Sequence, residues 1–115
     1  MQLQVIIDKL KLNVLTGKNL LNREVKGGYI SDMLSDVLAN ANEGNIWITL
    51  QTHLNIVSVA AIKKVSAIII PLNRKPDDDS LKKAEEENII ILNSDEIGFK
   101  IAGKLYELGI GKNNE

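Results

Sequence analysis

The residues best suited to chemistry in this chain form one short string, Gln51-Thr52-His53-Leu54-Asn55. It sets two amides, a hydroxyl and an imidazole between two apolar segments. His53 is the only histidine, and its ordinary pKa near neutrality lets it accept a proton or hydrogen-bond a phosphate. A lone histidine is also commonly a polar group bonded to nearby backbone, and Thr52 has the chemistry of a helix N-cap. A second string, Lys26-Gly27-Gly28, places paired glycines ahead of a helical pattern. Such a pair lets backbone N–H groups approach an anion at a helix start, or only makes a tight turn. Asn93-Ser94 offers an amide and a hydroxyl at the end of a further apolar run. Catalysis needs a nucleophile beside a base, or paired carboxylates, and no string supplies such a set. The phosphate loop G-x-x-x-x-G-K-[ST] and the metal motif H-E-x-x-H are both missing. The runs Asp77-Asp78-Asp79 and Glu85-Glu86-Glu87 read as solvated surface and helix-start acids. No cofactor or metal is expected.

The elements that must position these residues show in the alternation of two apolar periods. Leu3, Ile6, Ile7 and Leu10 predict a first helix, and Leu12 to Leu15 a strand. Glu24-Val25-Lys26 reads as a short edge strand that stops at Gly27-Gly28. Ile30, Leu34, Val37, Leu38 and Ala41 predict a helix started by Ser31 or Asp32. Ile46 to Leu50 reads as a strand, and Thr52 opens a helix with Ile56, Val57, Ala60 and Ala61 inward. Ser66 to Ile70 is a continuous apolar run, as in strands covered on both faces. Ser80 to Asn88 predicts a polar helix, Ile89 to Leu92 a strand. The last helix starts at Asn93-Ser94-Asp95-Glu96 and buries Ile97, Ile101, Leu105 and Leu108. Gly98 and Gly103 within it suggest close packing against a neighbour.

Strand and helix in alternation imply right-handed crossovers. The expected fold is α/β, a three-layer sandwich with a mostly parallel β-sheet flanked by helices. One domain is expected over residues 1–110, with 111–115 a flexible tail. In such a sheet ligands collect beyond the carboxyl ends of the strands. That rule selects the loops carrying Lys26-Gly27-Gly28, Gln51 to Asn55, Leu72 to Lys75, and Asn93-Ser94.

Composition narrows the function. Of 115 residues, 44% are hydrophobic and 3% aromatic, so an aliphatic core is available without staples. Fourteen basic against fifteen acidic residues leave a net charge of −1, which argues against a nucleic-acid binder with its basic face and stacking aromatics. The absence of cysteine excludes disulfides and thiolate chemistry. No run is long enough to span a bilayer and no secretory pattern opens the chain, so a cytoplasmic location is expected.

Two segments, Arg23 to Leu34 and Asn45 to Val57, resemble the signature segments of DRTGG domains. The string Trp47-Ile48-Thr49-Leu50-Gln51-Thr52-His53-Leu54-Asn55 is the specific part. The likeness runs from about Leu12 to Leu108. The naming motif is kept only in its glycines, since Glu24-Val25-Lys26 replaces the preceding Asp-Arg-Thr. The resemblance implies a regulatory or assembly module without catalytic activity, and a homodimer. The expected convergence of Gly27-Gly28, Gln51-Thr52-His53 and Asn93-Ser94 at one sheet edge adds a site for an adenine nucleotide or other phosphate-bearing metabolite, and a partner enzyme is expected. The residues expected to bind that ligand are Lys26, Gly27, Gly28, Gln51, Thr52, His53, Asn55, Asn93 and Ser94. The alternatives are an interaction module with no small-molecule site, and a small enzyme using His53 as base.

Overall fold

The computed structural model describes residues 1–112. Ten elements follow in order: α1 (Leu3–Leu10), β1 (Asn13–Val14), β2 (Gly27–Ile30), α2 (Leu34–Asn40), β3 (Asn45–Ile48), α3 (Asn55–Lys63), β4 (Ala67–Ile70), α4 (Asp78–Glu86), β5 (Ile91–Asn93) and α5 (Gly98–Glu107). They build one five-stranded sheet in the order β1-β5-β4-β3-β2. β2 to β5 run parallel, and β1 closes the far edge antiparallel to β5.

The strands read as unbroken apolar runs because each side of the sheet is covered. Alternate residues of one strand enter different cores. Ile46, Ile48, Ala67, Ile69, Ile90 and Leu92 meet Leu3, Ile6 and Leu10 of α1 and Ile101 and Leu105 of α5. Trp47, Ile68, Ile70 and Ile91 meet Val37 of α2, Ile56 and Ala60 of α3, and Ala84 of α4. The result is three layers, with the three crossover helices on one face, as right-handed crossovers of one winding direction require.

Between β1 and β2 the chain passes under the amino ends of the parallel strands. The Thr16 hydroxyl, buried, donates to Ile89 O at 2.7 Å and accepts from Ile91 N at 2.8 Å. The Arg23 guanidinium donates to Asn88 O at 2.7 Å and Ser66 O at 3.4 Å. These contacts tie the amino ends of β4 and β5 to the crossing segment.

Several expectations need correction. Gly27-Gly28 do not follow a strand but begin one: Gly27 pairs with Asn45 and Gly28 with Ile46. The β-favouring pair Tyr29-Ile30 then extends it, so Ile30 is a strand residue. Glu24 instead forms a single bridge with Gln2. The helices start later than their polar residues suggest, because those side chains close turns or bond elsewhere. Ser31 Oγ accepts from Met33 N and Ser94 Oγ from Glu96 N, and the residues flanking α2, α3 and α5 are Met33, Leu54 and Ile97. Thr52 is therefore not a cap. Ala61 faces solvent and Val59 takes the inward place. Ile97 lies half exposed ahead of α5, and a Cβ at Gly103 would meet nothing within 4 Å, so no close packing explains that glycine. Of the expected tail, Gly111 and Lys112 turn after α5, and 113–115 lie outside the described residues.

Candidate functional site

The carboxyl ends of β2, β3 and β4 end in loops that meet the start of α5. Between them lies a crevice of about 140 Å³. Its walls are Ile30, Ile48, Pro71 and Leu72; its polar groups come from Ser31, Asp32 and Thr49; Gly98 closes it. A Cβ at Gly98 would stand 3.4 Å from Ile30 Cδ1, so a larger residue there would project toward the wall.

The polar side is built by mutual hydrogen bonds. Asp32 Oδ1 accepts from Thr49 Oγ1 at 2.9 Å and from Leu50 N at 2.7 Å. Gln51 Nε2 donates to Asp32 O at 3.1 Å, and Gln51 N donates to Thr49 Oγ1 at 3.1 Å. Trp47 Nε1 donates to Ser31 O at 2.9 Å. A loop that would otherwise sample many conformations is thereby fastened to the end of β3. Asp32 is the one charged residue lining the crevice. The cations of this end, Arg74, Lys75 and Lys100, stand exposed on the loop after β4 and the first turn of α5. Lys104 pairs with Glu96, and that contact holds the Glu96 carboxyl below its ordinary pKa.

The nine residues expected at the ligand fall into separate places. Gln51 does not line the crevice but braces it, through its bond to the Asp32 backbone carbonyl. His53 and Asn55 share a shallow hollow with Ser58, Asp77 and Ser80, one loop away. There Asp77 Oδ1 accepts from Ser80 N at 2.8 Å. Bonding to Ser80, with a smaller contribution from nearby His53, lowers the Asp77 pKa. Thr52 is part-exposed between the two places. Asn93 and Ser94 are buried at the end of β5 and already engaged. Asn93 accepts from Asn13 Nδ2 at 2.9 Å and donates to Arg74 O at 3.2 Å, while Ser94 O accepts from Asn73 N at 2.7 Å.

Lys26, Gly27 and Gly28 stand at the amino end of the sheet, since β2 begins with them. Lys26 lines an open hollow of about 500 Å³ with Arg23, Glu43, Lys64 and Glu87. The expected convergence of the glycine pair with Gln51 and Asn93 at one sheet edge is therefore corrected. The hollow at the amino end is larger than the crevice, but its opposed charges neutralise one another and Arg23 is occupied as a brace. The crevice has the defined polar geometry.

Sequence reasoning passed over Asp32, Thr49 and Gly98 as site residues. Asp32 was read as a helix start, and only its pairing with Thr49, between the loops that follow β2 and β3, reveals another role. Among the described residues every buried side-chain nitrogen or oxygen has a hydrogen-bond partner, no group of three His, Asp or Glu could hold a metal ion, and no helix is long and apolar enough to cross a membrane.

The chain is a mostly parallel α/β sheet with a crevice at its carboxyl edge, and a solved structure shares that fold. The chain is similar in structure to the CBS and DRTGG domains of the regulatory region of a Clostridium perfringens pyrophosphatase, solved in complex with the activator diadenosine tetraphosphate. The TM-score is 0.68 at 18% identity, over 89% of this chain and 44% of that one. This likeness establishes the fold and is consistent with a DRTGG-like domain; the chain spans under half of that structure's length. No protein-family model and no curated protein matches the sequence.

Proposed function

We propose that the chain is a regulatory module without catalytic activity of its own, a single domain over residues 1–110 that senses a nucleotide-like or other phosphate-bearing metabolite at the carboxyl edge of its sheet. The observation that carries this reading is the crevice between β2, β3, β4 and α5, with its pre-formed Asp32–Thr49–Gln51 network. The pyrophosphatase region of the same fold is regulatory and takes a nucleotide activator, which supports a sensor that answers to a partner enzyme in the cytoplasm. The His53 ring has no hydrogen-bond partner among the described residues, and its neighbour Asp77 is engaged at the start of α4. That arrangement gives no support to a base-catalysed mechanism.

The test is a thermal-shift titration with AMP, ATP, diadenosine tetraphosphate and inorganic phosphate. A ligand at a hundred times its Kd adds about 2.7 kcal/mol, several degrees in a domain of this size. A saturable rise with at least one nucleotide is expected, reduced by Gln51→Ala. No rise with any of them sinks the sensor reading.

A second reading has its own observation. Ile30 on the edge strand β2 is exposed, and so are Ile97 just ahead of α5 and Phe99 and Tyr106 on it, Phe99 to 84%. A groove of about 260 Å³ lined by Gly28, Ile30, Leu105, Tyr106 and Ile110 lies between β2 and α5. Apolar surface gathered in this way marks an interaction face, and a second copy of the chain is its proposed occupant.

A further inference from the structure

The geometry points to a division of labour within the ligand site: the crevice takes an uncharged, hydroxyl-bearing moiety, the sugar of a nucleoside, with Asp32 as the group that selects it, and the phosphates stay outside. The inference rests on the sensor reading above and narrows it. A site for a whole drug-sized ligand encloses about 300–1,000 Å³, so a crevice of about 140 Å³ suits a single moiety.

The chemistry of the lining decides which. Four walls are apolar and no cation lines the space. The carboxylate of Asp32 is an acceptor with two oxygens. Oδ1 is engaged by Thr49 Oγ1 and Leu50 N, while Oδ2 makes no hydrogen bond among the described residues. An anion placed here would meet a like charge at close range, which disfavours it. A hydroxyl pair would instead find a fixed, charged acceptor, and hydrogen bonds to charged groups are the strong ones. Because the Asp32 loop is held by Trp47, Thr49 and Gln51, little ordering remains to be done when the sugar arrives. Exposed cations lie close by in the chain, Arg74 and Lys75 after the lining residue Leu72 and Lys100 after Gly98, and phosphates outside the crevice are assigned to them.

The experiment is isothermal titration of the whole chain with adenosine, 2′,3′-dideoxyadenosine, AMP and inorganic phosphate, repeated on Asp32→Asn. Asparagine keeps an acceptor oxygen for Thr49 and Leu50, so the loop survives, and circular dichroism with the unfolding midpoint verifies the fold. A second variant, Gly98→Val, narrows the crevice from the opposite side. Adenosine and AMP are expected to bind the native chain. The dideoxy compound and the Asp32→Asn variant should each lose at least about tenfold in affinity, about 1.4 kcal/mol, and Gly98→Val should also weaken adenosine. Equal binding of adenosine and its dideoxy analogue overturns the inference, as does AMP binding indifferent to Asp32→Asn. Either result leaves the sensor reading standing. Saturable binding of phosphate alone that Gly98→Val abolishes overturns the sugar assignment as well. If neither adenosine nor AMP binds the native chain, the inference falls, and the nucleotide titrations above decide the sensor reading separately.

Discussion

Asp32 and Asp77 show how a carboxylate can be set to two tasks by its neighbours. Asp77 caps α4: its oxygen accepts from Ser80 N and satisfies one of the free donors at the helix start. Its pKa is lowered in the folded state by that bond. A carboxyl whose folded pKa lies below its unfolded value of about 3.9 contributes stability above that value. The contribution disappears as pH falls through the folded pKa. Asp77→Ala should therefore lower the urea midpoint at pH 7, and the gap to the native chain should close as the solution is taken below about pH 4. A gap that stays constant into acid would contradict this account. Asp77 was legible in the sequence as a helix-start acid, though not as the cap itself. Asp32 was legible as a helix start and serves otherwise. The misreading of Asp32 has a physical cause: Asp, Ser and Thr oxygens satisfy whichever donor comes nearest, and sequence spacing names only the local candidates.

At the scale of elements, the apolar code was far easier to read. Leu3, Ile6, Ile7 and Leu10 all lie buried along α1. The runs at Ile46, Ile68 and Ile90 became strands because burial on both faces tolerates nothing else. The failure at β2 is instructive. Gly27-Gly28 carry a turn signal, yet the ladder to Asn45 and Ile46 overrides it, since an edge strand can be held by backbone bonds that need no side chain. That single shift moved the glycine pair and Lys26 to the opposite end of the sheet from the crevice. α5 offers the converse lesson. Gly103 lies in mid-helix, exposed, with open space where a Cβ would be. Gly103→Ala should stabilise the chain by about 0.5–1 kcal/mol, because alanine restricts the unfolded backbone and favours the helix. Chemical denaturation measures it, and an unchanged or lower stability would mean that the glycine serves a contact made in an assembly.

For the whole molecule, the two faces of the sheet are covered unequally. Three helices pack on one face and only α1 and α5 on the other, so the underside of β2 is left with Gly28 and Ile30 at an open groove. Tyr106 lines it, and Phe99 and Ile97 are exposed on and just ahead of the same helix α5. We propose that this apolar face meets its like in a two-fold dimer, whose interface uses the same patch on both chains. Analytical ultracentrifugation at micromolar concentration is expected to report a dimer that Phe99→Glu converts to monomer while the circular dichroism is kept. A native chain that sediments as a monomer up to millimolar concentration would refute it. This asymmetry could not be read from the sequence, because Ile30 and Ile97 fall on apolar positions of helical period and read as inward.

Ile30 belongs to both places: it walls the crevice and it lines the groove beside α5. Gly98 packs on that same side chain from the first turn of the helix. If the proposed sugar and the proposed second copy ask different rotamers of that side chain, the two equilibria are thermodynamically linked, and linkage is reciprocal. Whatever factor a nucleoside applies to the association of two chains, association must apply to the affinity for the nucleoside. On the proposed reading, a metabolite's concentration would by that route become a change of assembly state.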